Sequence, residues 1–102
     1  MSDFGFINSD ELESALDKYM VLDIRDRHSF DSGHINGAMH LSPENISNFI
    51  DENDFDTPIV VCCYHGNSSK SAAQFLVEKG FKDVCSLDGG YEGWKENQKN
   101  IL

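Results

Sequence analysis

Positive charge is scarce in this chain: eight Lys and Arg stand against eighteen Asp and Glu, a net charge of −10 over 102 residues. That balance disfavours nucleic acid backbones and anionic membranes as partners, since both are polyanions, and fits a positively charged partner surface better. Proline is also sparse, with two residues, and no Gly/Ser-rich linker, internal repeat or low-complexity tract interrupts the chain. No domain boundary follows, so residues 1–102 read as one domain, large enough to bury roughly 60–70% of its unfolded surface. No apolar run approaches the ~20 residues of a membrane span. The start, "MSDFGFINSDELES", is acidic and polar where a secretory signal needs a basic end and an apolar stretch, so the expected location is cytoplasmic. Cysteines number three, an odd count with no framework spacing, which excludes a fully disulfide-paired chain and points to reduced thiols.

What is present is an alternation of short apolar runs with helical patterns. After an extended start at Phe4 to Ile7, Ser9 is placed to cap a helix with Asp10 and Glu11 in its first turn and Leu12, Ala15, Leu16 and Tyr19 on its apolar face. "YMVLDI", 19–24, is too brief for a helix and reads as a buried strand, and "AMHL", 38–41, as another. "SPENISNFIDEN" predicts a helix with Ser42 as N-cap, Pro43 at the first helical position, and Ile46, Phe49 and Ile50 on one face. "IVVC" then predicts a central strand, "SSKSAAQFLVEKG" a helix ending at Gly80, "VCSL" a last strand, and a closing helix passes through Tyr91 and Trp94. Strands alternating with helices imply βαβ units around a mostly parallel sheet, in which ligands sit beyond the carboxyl ends of the strands. Three polar stretches could reach that edge: "RDRHSF", "CYHGNSSK" and "LDGGYEGW".

The second of these carries chemistry. Successive side chains of a strand point to opposite faces, so Cys62 and Cys63 cannot share one task. Cys62 continues the apolar run and reads as a core thiol, and Cys85 in the last strand as another. Cys63 sits where the strand stops. Gly66 and Asn67 behind it most readily adopt positive φ, which lets the chain curl with its N–H groups inward as an anion-binding nest. The helix beginning near Ser68 adds orphan N–H groups and a positive dipole end, and Lys70 a full charge. A thiol in such a ring can fall from ~8.5 into the ~3.5–7.5 range. The same donors suit a thiolate, a persulfide anion or a bound oxyanion, and an ordinary strand-to-helix turn with a buried cysteine stays open on these features alone.

Other chemistries fit less well. A C-x5-R phosphatase needs an arginine at position 69, where this chain has Ser69, and Lys70 offers a point charge in place of a planar fork. Zinc ligation by Cys62, Cys63 and His65 fails because adjacent strand residues diverge and no second ligand pair appears, so no metal is expected. The C-x-x-C of a thioredoxin-like dithiol is absent.

Three segments, in order, resemble the rhodanese family of sulfurtransferases. "LDIRDRHSFDSGHINGAMHL", 22–41, resembles the family's amino-terminal signature with its D-x-R and G-H-I-x-G-A elements; "CYHGNSSK" resembles its active loop, and "LDGGYEGW", 87–94, its carboxyl-terminal signature. The resemblance spans nearly the whole chain and implies an α/β, rhodanese-like three-layer fold with a central, mostly parallel five-stranded sheet flanked by helices. The six-residue loop from Cys63 to Ser68 is similar to that of the single-domain thiosulfate sulfurtransferases. On that resemblance Cys63 attacks the outer sulfur of thiosulfate, releases sulfite and holds a persulfide, which cyanide or a protein dithiol such as thioredoxin removes, with no cofactor. The loop residues Tyr64, His65, Gly66, Asn67, Ser68 and Lys70 then bind substrate and persulfide. Mercaptopyruvate-specific relatives carry glycine straight after the nucleophile, so Tyr64 favours thiosulfate. Many thiosulfate-using relatives have an arginine within the loop; here Lys70 and His65 are the nearby groups left to steady the dianion. Asp23 and Arg25 are expected as an ion pair near the site, His34 as a structural histidine, and Tyr91 and Trp94 as core or pocket wall. A sulfur-relay carrier passing its persulfide to one protein partner shares all these residues. A non-catalytic regulatory domain of the family usually lacks the cysteine, and Cys63 argues against it.

Overall fold

The computed structural model describes residues 3–100. Five strands, β1 (Gly5–Ile7), β2 (Met20–Asp23), β3 (Met39–His40), β4 (Ile59–Cys62) and β5 (Val84–Leu87), form one sheet in the order β1-β5-β4-β2-β3. Every pairing is parallel. Five helices complete the chain: α1 (Ser9–Ser14), α2 (Arg27–Ser32), α3 (Ile46–Glu52), α4 (Ser68–Lys79) and α5 (Gly90–Asn100). No helix among the described residues is long and apolar enough to cross a membrane.

Parallel strands need cover on both faces, and the alternation along β4 supplies two cores. Ile59 and Val61 join Leu22, Phe49, Ala73, Leu76 and Phe81 beneath α3 and α4. Val60 and Cys62 face the other way, with Ile7, Leu12, Val21, Leu87 and Trp94 beneath α1 and α5. The third strand position beyond Val60, Cys63, therefore returns to the α4 side. Ser86 lies on that side too, because Val61 pairs with Ser86 in register.

Three local expectations change. Asn8, not Ser9, caps α1: its extended backbone and its reciprocal bonds with Glu11, Oδ1 accepting at 2.8 Å and N–H donating at 3.0 Å, form a capping box that Ser9, with Leu12 three residues on, cannot make. That helix stops at Ser14, so Ala15, Leu16 and Tyr19 lie beyond it. Helix α3 starts at Ile46 with Asn45 as N-cap, and Ser42 and Pro43 precede it; Asn45 accepts from Ser42 N–H at 2.8 Å and donates to His40 O at 2.9 Å, which holds 42–45 as a turn. Within "RDRHSF", read above only as a polar stretch, helix α2 begins, capped by Asp26, whose Oδ2 accepts from Ser29 N–H at 3.0 Å.

Candidate active site

The three polar stretches meet at the carboxyl edge of the sheet. Tyr91 N–H donates to Cys63 O at 2.7 Å and Glu92 N–H to Tyr64 O at 3.1 Å, so the first turn of α5 is fastened to the loop after β4. The approach is so close that a Cβ on Gly90 would stand 2.6 Å from Cys63 O and from Tyr64 C and O, and Gly90 has φ +59°. From the other side, the Tyr64 hydroxyl donates to Asp26 Oδ1 and contacts the Ser29 hydroxyl, which ties the loop to the cap of α2. That bond leads the causes holding the Asp26 carboxyl well below the usual range.

Within the loop, Gly66 has φ +94° and curls the chain; Asn67 was expected to share this role but is right-handed helical, and no non-glycine among the described residues has positive φ. The curl aims Gly66 N–H at Cys63 Sγ (3.1 Å), and the first turn of α4 aims Ser69 N–H at it (3.3 Å). The thiol in turn donates to Ser69 Oγ at 3.4 Å, and Ser69 Oγ lies 2.7 Å from Ser86 Oγ on β5. Burial alone pushes the Cys63 thiol up. Hydrogen bonds from the Ser69 side chain and from the N–H groups of Ser69, Gly66 and His65 outweigh that and hold it below the ordinary cysteine value. Its neighbours go the other way: burial, then the Asp23 charge, pushes Cys62 far up, and burial with Asp83 raises Cys85. Of three thiols, only Cys63 has its anion favoured.

The remaining expected residues divide by exposure. Tyr64, His65, Asn67, Ser68 and Lys70 are exposed, and Gly66 is buried. Asp23 and Arg25 are buried, 1% and 6% exposed, and joined by Nε and Nη2 bonds of 2.8–3.1 Å. Arg25 Nη2 also donates to Gly33 O at 2.6 Å, and the guanidinium lies 4.1 Å from the Tyr91 ring centroid and 5.7 Å from that of Tyr64. It therefore braces two walls of the site from within. His34 Nδ1 lies 2.7 Å from Phe30 O and its ring stacks on Phe30, while Trp94 is in the core. Sequence reasoning missed Ser86, Asp26, Ser29 and Gly90. For Ser86 a signal existed: a polar residue at an inward position of "VCSL" needs a buried partner.

A parallel α/β sheet with a thiol cradled between a strand end and a helix start defines a class of cysteine-loop proteins that includes phosphatases and sulfurtransferases. Within it the chain belongs to the rhodanese family: the rhodanese-like domain matches residues 8–97. Among its relatives, the thiosulfate sulfurtransferase GlpE of Shewanella oneidensis is 48% identical over 98 residues, covering 94% of this chain and 97% of that protein. A protein of the same name from Pseudomonas fluorescens is 48% identical over 96 residues, covering 93% and 88%. The crystal structure of a rhodanese-related protein from Thermoplasma volcanium superposes with a TM-score of 0.81 at 26% identity, covering 92% of this chain and 93% of that one.

Proposed function

We propose that this chain is a thiosulfate sulfurtransferase that carries sulfur as a persulfide on Cys63. The observation that carries the reading is the convergence of donors from Gly66 and Ser69 on Cys63 Sγ, in a chain whose GlpE relatives bear that activity in their names. The Cys63 thiolate attacks the outer sulfur of thiosulfate. The S–S bond of thiosulfate breaks with its electron pair leaving on sulfite, and the new Cys63 persulfide keeps one negative charge inside the same ring of donors. Cyanide, or a protein dithiol such as thioredoxin, then attacks the outer sulfur, leaves as thiocyanate or a persulfide, and restores the thiolate. Lys70, exposed, offers charge to the incoming dianion, and His65, also exposed, a ring nitrogen; Gly66, Asn67 and Ser68 shape the ring; Asp23 and Arg25 hold its walls. The reading places the reaction in the cytoplasm, where thiols stay reduced and dithiol acceptors exist.

Intact mass before and after thiosulfate tests this. One added sulfur atom is expected, mapped to the peptide of Cys63 and stripped by cyanide. An unchanged mass, or label on Cys62 or Cys85, overturns it.

A further inference from the structure

The geometry points to Ser86 as a positioning residue for Cys63: through Ser69, it fixes the direction in which a buried hydroxyl donates, and that direction is toward the sulfur. Three observations combine. Ser69 and Ser86 are 0% and 1% exposed, so neither hydroxyl faces bulk solvent. Their oxygens lie 2.7 Å apart, and Ser86 Oγ has no other hydrogen-bond partner among the described residues. Ser69 Oγ is 3.4 Å from Cys63 Sγ.

Counting protons decides between the two arrangements this chain allows. With Cys63 as a thiol one buried donor is left over: either S–H donates to Ser69 Oγ, the Ser69 proton turns to Ser86 Oγ and the Ser86 proton has no acceptor, or the hydroxyls stay turned toward the sulfur and S–H has none. With the sulfur ionised, Ser86 donates to Ser69 and Ser69 to the sulfur, beside the N–H groups of Gly66 and Ser69, and every donor is used. The unmatched donor therefore penalises the thiol form alone. No proton passes along the chain; the thiol proton leaves to water and the two hydroxyls turn about their C–O bonds. This accounts for a serine at an inward position of an otherwise apolar strand.

The inference rests on the proposed function only in taking Cys63 as the reacting thiol, so its test measures that thiol without sulfur transfer. The rate of Cys63 alkylation by iodoacetamide, mapped by mass, is followed against pH in the full chain. Charged and titratable groups around the loop are Asp23 at the end of β2 and Arg25 beyond it, Asp26 at the cap of α2, Cys62 on β4, Tyr64 and His65 on the loop, Lys70 on α4, Asp88 before α5, and Tyr91 and Glu92 in its first turn; none changes between variants. Ser86→Ala should raise the midpoint by roughly half to one pH unit, the worth of one net hydrogen bond. Alkylation well below the midpoint should slow by roughly 3- to 10-fold, and the loss should vanish above it, where every variant is ionised. Ser69→Ala should shift the midpoint at least as far, and the double variant no further than Ser69→Ala, because Ser86 acts through Ser69. Ser86→Thr, which keeps the hydroxyl, should stay at the wild-type midpoint. A Ser86→Ala profile that overlays wild type, a loss equal at every pH, an additive double variant, or a Ser86→Thr that shifts like Ser86→Ala overturns the assignment. Failure of thiosulfate to add sulfur to Cys63 would instead overturn the function and leave these profiles standing.

Discussion

The peptide N–H of Tyr91, at the start of α5, donates to the carbonyl of Cys63 at 2.7 Å, so a helix some thirty residues downstream holds the backbone of the cradled thiol. The contact depends on the bare backbone of Gly90. Gly90→Ala would drive a methyl against Cys63 O and Tyr64, at a positive φ that alanine resists. We expect a loss of about 2–4 kcal/mol in stability by urea unfolding, together with slower alkylation of Cys63 in the fraction that folds.

Tyr64 ties the loop to the cap of α2, and the tie should be visible in acid. The Asp26 carboxyl is depressed in the folded chain from its ordinary 3.8, first by the Tyr64 hydroxyl and then by Ser29. A depressed carboxyl contributes stability that is complete above the unfolded value and is lost as pH falls through 3.8 toward the folded one. Tyr64→Phe removes the leading cause. The variant should lose less stability than wild type between neutral pH and pH values below 3.8 in chemical denaturation; parallel curves would show that the bond carries no charge-dependent stability.

Segments whose burial is continuous were legible in the sequence. "IVVC" and "VCSL" are strands over the stretches quoted, and Gly80 ends α4, because apolar runs and a C-terminal glycine are local signals. Helix α2 was not legible, since it buries no residue and so leaves no apolar period to read. The start of α3 was misplaced for another local reason, the Asn45 side chain competing for the backbone that a first turn would use. At the site, Cys63 and its glycine announced themselves within one short stretch. The partners that complete it did not: Ser69 meets Ser86 across 17 residues of chain, and Tyr64 meets Asp26 across 38. Such pairs exist only once the sheet order is known.

Lys70 is exposed on the first turn of α4, beside the ring of donors. A dianion approaching a chain of net charge −10 must cross an unfavourable field, and a local cation offsets it. Lys70→Ala should raise KM for thiosulfate by roughly 2- to 5-fold at low salt and flatten the dependence on ionic strength, with kcat little changed. Identical salt curves for variant and wild type would remove Lys70 from substrate capture.

The adjacent thiols give the sharpest contrast, because one peptide bond separates two opposite environments. Cys62 points into the apolar cluster with Val21, Leu87 and Trp94, and burial keeps it protonated. Cys63 points into donors that favour its anion. Cys63→Ser keeps the fold and the hydrogen-bond ring, yet a hydroxyl scarcely ionises near neutral pH, so thiocyanate formation should fall to background. Cys62→Ser should keep much of the activity. Its hydroxyl can take over the donation that the Cys62 thiol makes to Cys63 O at 3.6 Å, at a cost of about 1–2 kcal/mol for placing a more polar group in that cluster. Thiosulfate:cyanide turnover and urea unfolding on the two variants separate the effects: activity without stability should be lost at 63, and stability without activity at 62. Turnover surviving in Cys63→Ser and vanishing in Cys62→Ser would move the nucleophile to the other face of the sheet, where burial and the Asp23 charge outweigh Arg25 and disfavour a thiolate.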